Sequence, residues 1–297
     1  MIPRAAKLLT GFFILAVLLV VAALIFALSQ PPPAPPLLPK PNGYDDLVRA
    51  SWMLADKTSD YTTMNREDLR PVVETNAEAL KLARTGLSRP CQVPLDYSAA
   101  SPNYLLTNLA GLKRLAQGLA AEGRLMELEG RPTDAADSYL TTIRLGVASS
   151  KGGLLIHALV GIAIEAIGTS YLEKLALTLN AKQCREAAAV LETCEAGREP
   201  MPTILARERT WSRRAFRGFK WQIARLIAFK SRGQTEQRAV ARVNTLQTRE
   251  RVLLIRLAAR AYELEKGERP KSLGDLVPAY LQAIPQNPVT GTNMAYP

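Results

Sequence analysis

An uncharged apolar segment lies close to the N-terminus. Residues 8–28 read LLTGFFILAVLLVVAALIFAL and contain no charged side chain. At a rise of ~1.5 Å per residue, a helix of this length reaches across the ~30 Å hydrocarbon core of a bilayer. Arg4 and Lys7 precede it, so the positive-inside rule favours a cytoplasmic stub at 1–7 and an extracytoplasmic remainder. The sequence therefore predicts a transmembrane signal anchor at 8–29.

A cleaved signal peptide is the alternative for this segment. Residues 27–29, Ala-Leu-Ser, have the small-x-small form of a cleavage site. The apolar region of a secretory signal is usually only about 7–15 residues long, which favours the uncleaved anchor. We therefore expect a single-pass protein of the inner (cytoplasmic) membrane of a bacterial envelope, with the bulk of the chain extracytoplasmic.

The chain beyond the apolar segment has two compositions. Residues 31–41, PPPAPPLLPKP, hold seven prolines and predict an extended Pro-rich linker at 30–42. Later apolar residues recur at helical spacing, and Gly or Pro stands at the ends of these runs, which predicts an all-α fold without strands. This gives a helical domain at 43–267 and a small C-terminal cap at 268–297. Helices are predicted near 44–58, 66–87, 103–129, 133–149, 153–179, 181–195, 201–231, 235–267 and 271–281.

Residues 118–150 carry a helical-hairpin pattern. Gly130 can adopt the left-handed turn that ends a first helix, and Thr133 is placed to cap the second. The stretch resembles one helix–turn–helix unit of the tetratricopeptide repeat family, which implies that Tyr139 wedges between neighbouring helices. A looser second unit spans 160–195. Because regular repeats are absent elsewhere, we expect an irregular, tetratricopeptide-like array of helical hairpins.

The segment LLIHALVGIAIEAIG at 154–168 is apolar apart from two ionisable residues, His157 and Glu165. Its uniform apolarity predicts a central buried helix. The two residues are separated by ~12 Å along a helix, too far to share one ion or proton. We expect each of these candidate buried polar residues to meet a partner on a neighbouring helix.

The net charge of +11 is concentrated in one region. Residues 203–260 contain fifteen Lys or Arg and three Glu, a surplus that accounts for the whole net charge. On a helical wheel, 211–230 separates an apolar, aromatic-rich face from a basic one, which is typical of helices that lie on anionic lipid. This candidate lipid-binding or partner-binding basic face consists of Arg213, Arg214, Arg217, Lys220 and Arg225.

Three interpretations of this face compete. Nucleic acid would suit interleaved basic and aromatic residues, but an extracytoplasmic location excludes it as a partner. Anionic lipid suits both faces of the helix. The third interpretation is the default for any amphipathic surface helix: the apolar face packs in the bundle, and the arginines are solvated or meet Glu122, Glu127 or Glu129.

Motifs for catalysis are missing from the sequence. With one His in the chain there is no two-histidine zinc motif, and no GxSxG elbow, phosphate-binding Gly loop or CxxC pair occurs. We assign no catalytic residue, metal or cofactor. Two acids suffice for a glycosidase, so Glu165 and Asp137 leave a carboxylate-dependent cell-wall hydrolase open. For Cys91, Cys184 and Cys194, one bridge from Cys91 and three buried free thiols both remain open.

The last 39 residues, 259–297, contain a further pattern. They resemble the C-terminal segment of type II secretion pseudopilins of the major, G-type class, with Asn287 where the family often has a calcium-ligating Asp. Residues 11–15 are similar to the processing junction of type IV pilin-like proteins, with Ala16 replacing the glutamate that the family uses in assembly. We expect Leu273, Leu276, Val277 and Leu281 to pack onto the last long helix. The matching residues are Tyr262, Gly267, Pro270, Leu273, Leu276, Tyr280, Leu281, Pro285, Pro288 and Gly291.

These patterns together favour a non-catalytic, membrane-anchored extracytoplasmic helical protein that acts in protein interaction or envelope assembly. Its protein partner is not identified by the sequence, and nucleic acid is not expected. The alternatives are a pseudopilin-like secretion or pilus component and a carboxylate-dependent cell-wall hydrolase.

Overall fold

The regular structure of the chain is helical throughout its described part. The computed structural model describes residues 13–23, 37–55, 61–95, 102–215 and 229–296. Within these ranges there is no β-strand, and one isolated antiparallel bridge joins Gln286 to Asn293. The prediction of an all-α fold is confirmed.

Ten helices are described, with two short 3-10 turns at Ala176–Thr178 and Leu273–Leu276. They are α1 (Phe13–Ala23), α2 (Gly43–Trp52), α3 (Arg66–Thr75), α4 (Ala77–Leu87), α5 (Pro102–Leu128), α6 (Pro132–Ser150), α7 (Leu155–Leu175), α8 (Ala181–Gly197), α9 (Met201–Ala215) and α10 (Phe229–Lys266).

Asparagine side chains cap three of the described helices, and one predicted cap is wrong. Asn65 accepts from the N–H of Asp68, and Asn180 forms a capping box with Gln183. Thr133 does not cap α6 as predicted. Proline favours the first helical position, so α6 begins at Pro132 and leaves Thr133 inside its first turn.

Three predicted helices differ from the structure, and the one predicted near 271–281 is only the 3-10 turn at Leu273–Leu276. The single helix predicted at 66–87 is two helices, because Asn76 interrupts it and its side chain instead bonds the backbone of Val72 and Ala55. The first helix of the domain ends at Trp52 rather than at residue 58. In the predicted helix at 201–231, residues 216–228 lie outside the described ranges.

Residues 37–297 form one compact unit, and α1 belongs to a separate unit. The larger of two apolar clusters joins α5, α6, α7, α8 and α10 to the C-terminal tail, while the smaller is built mainly from α2, α4 and α5. All buried members of both clusters lie between Tyr44 and Leu281. The segment 37–297 therefore contains everything that these two cores need.

The C-terminal cap is part of the larger cluster. Leu273, Leu276 and Leu281 are buried together with Leu253 and Leu257 of α10, and Val277 packs against the cluster at its edge. The hydroxyl of Tyr280 donates to Glu265 at 2.7 Å. These contacts attach the cap to the last long helix.

Tyr139 fills the space between three helices. It is fully buried on α6, it stacks on Tyr171 of α7 with ring centroids 5.1 Å apart, and its hydroxyl donates to Glu127 of α5. A Cβ at Gly123 would lie 2.5 Å from the ring. At the turn between α5 and α6, Gly130 has φ +72°, the left-handed value predicted from sequence.

Helix α7 lies in the interior of the compact unit. Its buried positions include Ala158, Gly161, Gly168 and Leu172, and its closest packing partner is α6. By length and composition alone, Leu155–Thr178 is the one helix in the described ranges that could cross a membrane, and core helices of soluble proteins pass the same test.

Glycines set the distance between α6 and α7. A Cβ at Gly161 would lie 2.7 Å from the carbonyl oxygen of Gly146, and one at Gly168 would lie 2.5 Å from that of Tyr139. Both neighbours are backbone atoms, which cannot rotate away as a flexible side chain can. The two helices therefore touch along their backbones, and this contact tolerates no side chain.

We expect Gly161→Ala to lower the free energy of unfolding of residues 37–297 by about 1–3 kcal/mol, because the added methyl forces the two backbones apart. Gly233→Ala on α10 is the matched control, since nothing lies within 4 Å of its Cβ. There the helix preference for alanine should raise stability by up to about 1 kcal/mol. Urea denaturation measures both variants. Equal changes in their free energies of unfolding would show that α6 and α7 can move apart at little cost.

Candidate functional site

Three charged side chains from distant parts of the chain meet in the interior. Arg198 donates through Nη2 to Oε2 of Glu165 and, at 2.6 Å, to Oε2 of Glu250. Thr169 donates through its hydroxyl to the other carboxylate oxygen of Glu250 at 3.2 Å. Glu165 is 2% exposed and Glu250 is 6% exposed. We call these four residues the acid–arginine cluster.

Each member of the cluster is positioned by a different feature of the fold. Glu165 and Thr169 are one helical turn apart on the core side of α7. A Cβ at Gly146 would lie 2.4 Å from Cγ of Glu165, so this glycine of α6 leaves the space that the glutamate occupies. Arg198 follows the end of α8 in extended backbone, and Glu250 lies on the inner side of α10.

The charges of the cluster do not balance if both carboxylates are ionised. Burial raises the pKa of Glu165 to about 8, against the opposing effect of Arg198 and with a further increase from Glu250. Burial also raises the pKa of Glu250. Burial would lower the pKa of Arg198, but the two carboxylates outweigh it and raise that pKa. At neutral pH one proton shared by the two carboxylates makes the cluster electrically neutral.

Cys194 lies beside the cluster on α8. Burial raises the pKa of its thiol to about 12, and the negative charge of Glu165 adds to the increase. A thiol held protonated is a poor nucleophile. All three cysteines are buried and free, so the structure agrees with the free-thiol alternative rather than with a bridge from Cys91.

His157 is buried in the first turn of α7 and is separate from the acid–arginine cluster. Its Nδ1 accepts from the N–H of Leu154 at 3.1 Å, which places the ring proton on Nε2. Nε2 has no hydrogen-bond partner among the described residues. Burial lowers the pKa of His157 to about 4, and the charge of Arg207 lowers it further. His157 is therefore neutral, and its ring accepts a hydrogen bond from the residue just before α7.

Side chains from α9 and the loop before it hold the same turn. Arg207 donates to the carbonyl of Gly153 at 2.8 Å and pairs with Glu199, which accepts from the N–H of Gly152. Glu208 accepts from the N–H of Leu155 at 3.0 Å. The N–H groups of Gly152, Leu154 and Leu155 are thus bonded within the protein.

The basic face predicted at 211–230 lies largely outside the described residues. Arg213 and Arg214 are in the last turn of α9, while Arg217, Lys220 and Arg225 are not described. The acids considered as their partners make other bonds: Glu122 pairs with Arg84 and Ser138, Glu127 with Arg124 and Tyr139, and Glu129 with Arg70 and Arg131.

Sequence reasoning identified Glu165 but missed Arg198 and Glu250. The expectation that Glu165 meets a partner on another helix agrees with its contacts, whereas His157 bonds only its own helix start. Glu250 could have been suspected, because it falls on the apolar side of its helix between Leu246 and Leu253. Nothing local distinguishes Arg198 from the other basic residues of the chain.

Comparison with known proteins assigns no family to this fold. No family model, curated protein or solved structure matches the chain. Within the described ranges, no group of three or more His, Cys, Asp or Glu side chains could hold a metal ion. The acid–arginine cluster is therefore interpreted from its own geometry: it joins α7, α10 and the end of α8 through two buried carboxylates and a largely buried arginine.

We expect Arg198→Met to lower the free energy of unfolding at pH 7 by about 3–5 kcal/mol, since it leaves two carboxylates buried without their cation. Arg249→Met is the matched control, because Arg249 pairs with Glu173 at the surface, where such a pair contributes at most about 1 kcal/mol. Urea denaturation of residues 37–297 measures both. Equal losses for the two variants would contradict a structural role for the cluster.

The cluster also predicts how stability depends on pH. Because the pKa of Glu165 rises from an ordinary 4.5 to about 8 on folding, the folded state retains a proton that the unfolded chain has lost. Stability should therefore fall as pH rises between these values, by at most about 1.4 kcal/mol per pH unit for one proton.

Glu165→Gln should flatten this dependence, because the amide keeps the hydrogen bonds and cannot ionise. Unfolding curves between pH 7 and 8 test this prediction, since His157 is mostly neutral there in both states and the thiols, whose ordinary pKa is 9, keep their protons. An unchanged slope in the Gln variant would show that Glu165 does not carry the proton.

Proposed function

We propose that this protein is a membrane-anchored scaffold of the bacterial envelope: a single N-terminal span, a Pro-rich linker, and an extracytoplasmic helical domain that binds protein partners without catalysis. The chain is oriented with its N-terminus in the cytoplasm by Arg4 and Lys7. The membrane is the inner (cytoplasmic) one. Each part of the proposal is supported by a separate feature.

The anchor is supported by the exposure of α1, the observation on which the proposal depends. Its large apolar side chains are exposed, from 45% at Val17 to 69% at Phe13. Apolar surface costs about 25 cal/mol per Å² in water, and a helix is one of the few backbone conformations that lipid accepts, because its polar groups bond internally. A bilayer would cover the surface that the protein leaves bare.

The interaction role is supported by the hairpin of α5 and α6. The small residues at the helix contacts, the left-handed Gly130 and the wedged Tyr139 are the features expected of a tetratricopeptide-like unit. The packing of α6 on α7 and of α8 on α10 continues this arrangement as an irregular array. Helical arrays of this kind present extended surfaces to protein partners, although a fold alone names no ligand.

A pseudopilin-like secretion or pilus component is the second candidate, and the C-terminal tail favours it. Gly267 and Gly291 have φ +76° and +72° at the turns expected from that resemblance. The side-chain oxygen of Asn287 accepts from the N–H groups of Val289 and Thr290, so the final loop closes on an amide. The tail then acts as a shared capping module.

The hydrolase alternative receives no support from the carboxylates that the structure brings together. Glu165 and Glu250 are buried and both bond Arg198, so neither can reach a glycan or activate a water molecule at the surface. Catalysis by this pair would require the core to open.

The test is the intact mass and the carbonate extraction of the natively expressed chain. We expect an uncut chain that stays in the membrane fraction. Leu15→Arg combined with Val20→Arg should release it, because each charge costs about 2.5–3.5 kcal/mol at the centre of a span. Leu177→Arg, at an exposed site on the helical domain, should not.

The location of the mature N-terminus separates the candidates. A terminus at Phe12 would contradict the anchor and identify a processed pilin-like subunit. A terminus at Gln30, with the chain in the soluble fraction, would contradict both the anchor and the pilin-like role.

A further inference from the structure

Four arginines form a straight row on α10. Arg242, Arg249 and Arg256 follow one another at intervals of seven residues, and Arg238 precedes the first by four. At 100° per residue these four positions fall within about 40° of one another, and the row is ~27 Å long. All four side chains are exposed. We call them the arginine row.

Most of the row has no counter-charge within the described protein. Arg249 pairs with Glu173 of α7, whereas Arg238, Arg242 and Arg256 make no ion pair or side-chain hydrogen bond with any described residue. Between residues 237 and 260 the helix has one acid, Glu250, which is buried in the acid–arginine cluster. Ala241, Asn244, Thr245 and Thr248 lie beside the row and line a cleft that Glu236 also borders. Three of the four charges in the row are therefore not neutralised by any described residue.

A line of guanidinium groups on a helix suits a flat anionic surface. Every member of such a row can approach the same plane, and a guanidinium binds phosphate with two parallel N–H bonds. A basic residue near an anionic bilayer contributes about a five-fold increase in binding. Three unpaired arginines therefore suffice to turn one side of the domain towards a membrane.

The linker brings such a surface within reach, and this step rests on the proposed function. Residues 30–36, QPPPAPP, precede the compact unit, and a proline-rich sequence of this composition favours an extended chain with ~3.1 Å per residue. A compact unit of the size of 37–297 has a radius of gyration of ~18 Å. Seven such residues reach ~20 Å, which is comparable to this radius, so the tether keeps the domain close to the bilayer from which the chain emerges.

We infer that the arginine row is a binding site for the phosphate headgroups of anionic lipids. The tether supplies a high local concentration, so weak contacts are enough to fix the orientation of the domain. Salt weakens this contact by screening the exposed charges.

The test uses residues 37–297, which contain both complete cores, and flotation with vesicles of phosphatidylcholine with or without one-third phosphatidylglycerol. We expect binding only to the anionic vesicles, and weaker binding as salt is added. Combining Arg238→Gln, Arg242→Gln and Arg256→Gln should weaken binding about 100-fold, in line with three five-fold contributions.

The matched control is the combination of Lys182→Gln, Arg269→Gln and Lys271→Gln, three exposed residues off the row with the same total charge. It should change binding only a few-fold. Equal losses in both triple variants would mean that net charge alone drives the binding, and would overturn the site. Absence of binding to anionic vesicles would overturn it as well, and binding to polyglutamate instead would assign the row to an acidic protein partner.

This outcome is independent of the anchor test. The vesicle experiment omits α1, and carbonate extraction of the full chain does not depend on the arginine row. If carbonate releases the full chain but residues 37–297 still bind anionic vesicles through the row, the lipid site is supported and the anchor is contradicted. If the full chain stays in the membrane but residues 37–297 do not bind anionic vesicles, the proposed function is supported and the lipid site is contradicted.

Discussion

The backbone contact between α6 and α7 is the constraint on which much of this structure depends. Gly146 and Gly161 let the two helices approach until a carbonyl oxygen occupies the space of a missing side chain. The same approach leaves room for Glu165 beside Gly146 and brings Tyr139 against Tyr171. A wider crossing would leave cavities around both side chains. The positions of the buried carboxylate and of the wedged tyrosine are thus consequences of two residues that have no side chain.

What could be predicted from the sequence is what is decided locally. Helical spacing and the left-handed Gly130 depend on a few neighbouring residues, and the structure has them as expected. Thr133 failed as a cap because the adjacent Pro132 competes for the start of the same helix. The break at Asn76 was missed, because its side chain bonds Ala55 across 21 residues, and helical periodicity carries no information about such contacts.

In the candidate site, too, the local feature could be predicted from the sequence and the long-range contacts could not. Burial of Glu165 could be inferred from the apolar segment around it, since a helix that is apolar all round packs inside a protein. Its partner could not, because Arg198 reaches it across 33 residues and Glu250 joins Arg198 across 52. Tertiary packing decides which of the basic residues pairs with Glu165. An isolated sequence identifies a buried charge but not the residue that neutralises it.

Charged side chains on the inner side of α10 are paired, whereas most of those in the arginine row on its outer side have no partner among the described residues. On the inner side, Glu250 shares Arg198 with a second carboxylate and one proton, so the cluster buries no net charge at neutral pH. On the outer side, Arg238 and Arg242 have no counter-charge among the described residues, and an isolated charge in water costs the fold little. Stability therefore explains the inner arrangement but not the outer one. An unbalanced row that the fold neither needs nor opposes is the kind of surface that an external, negatively charged partner can use.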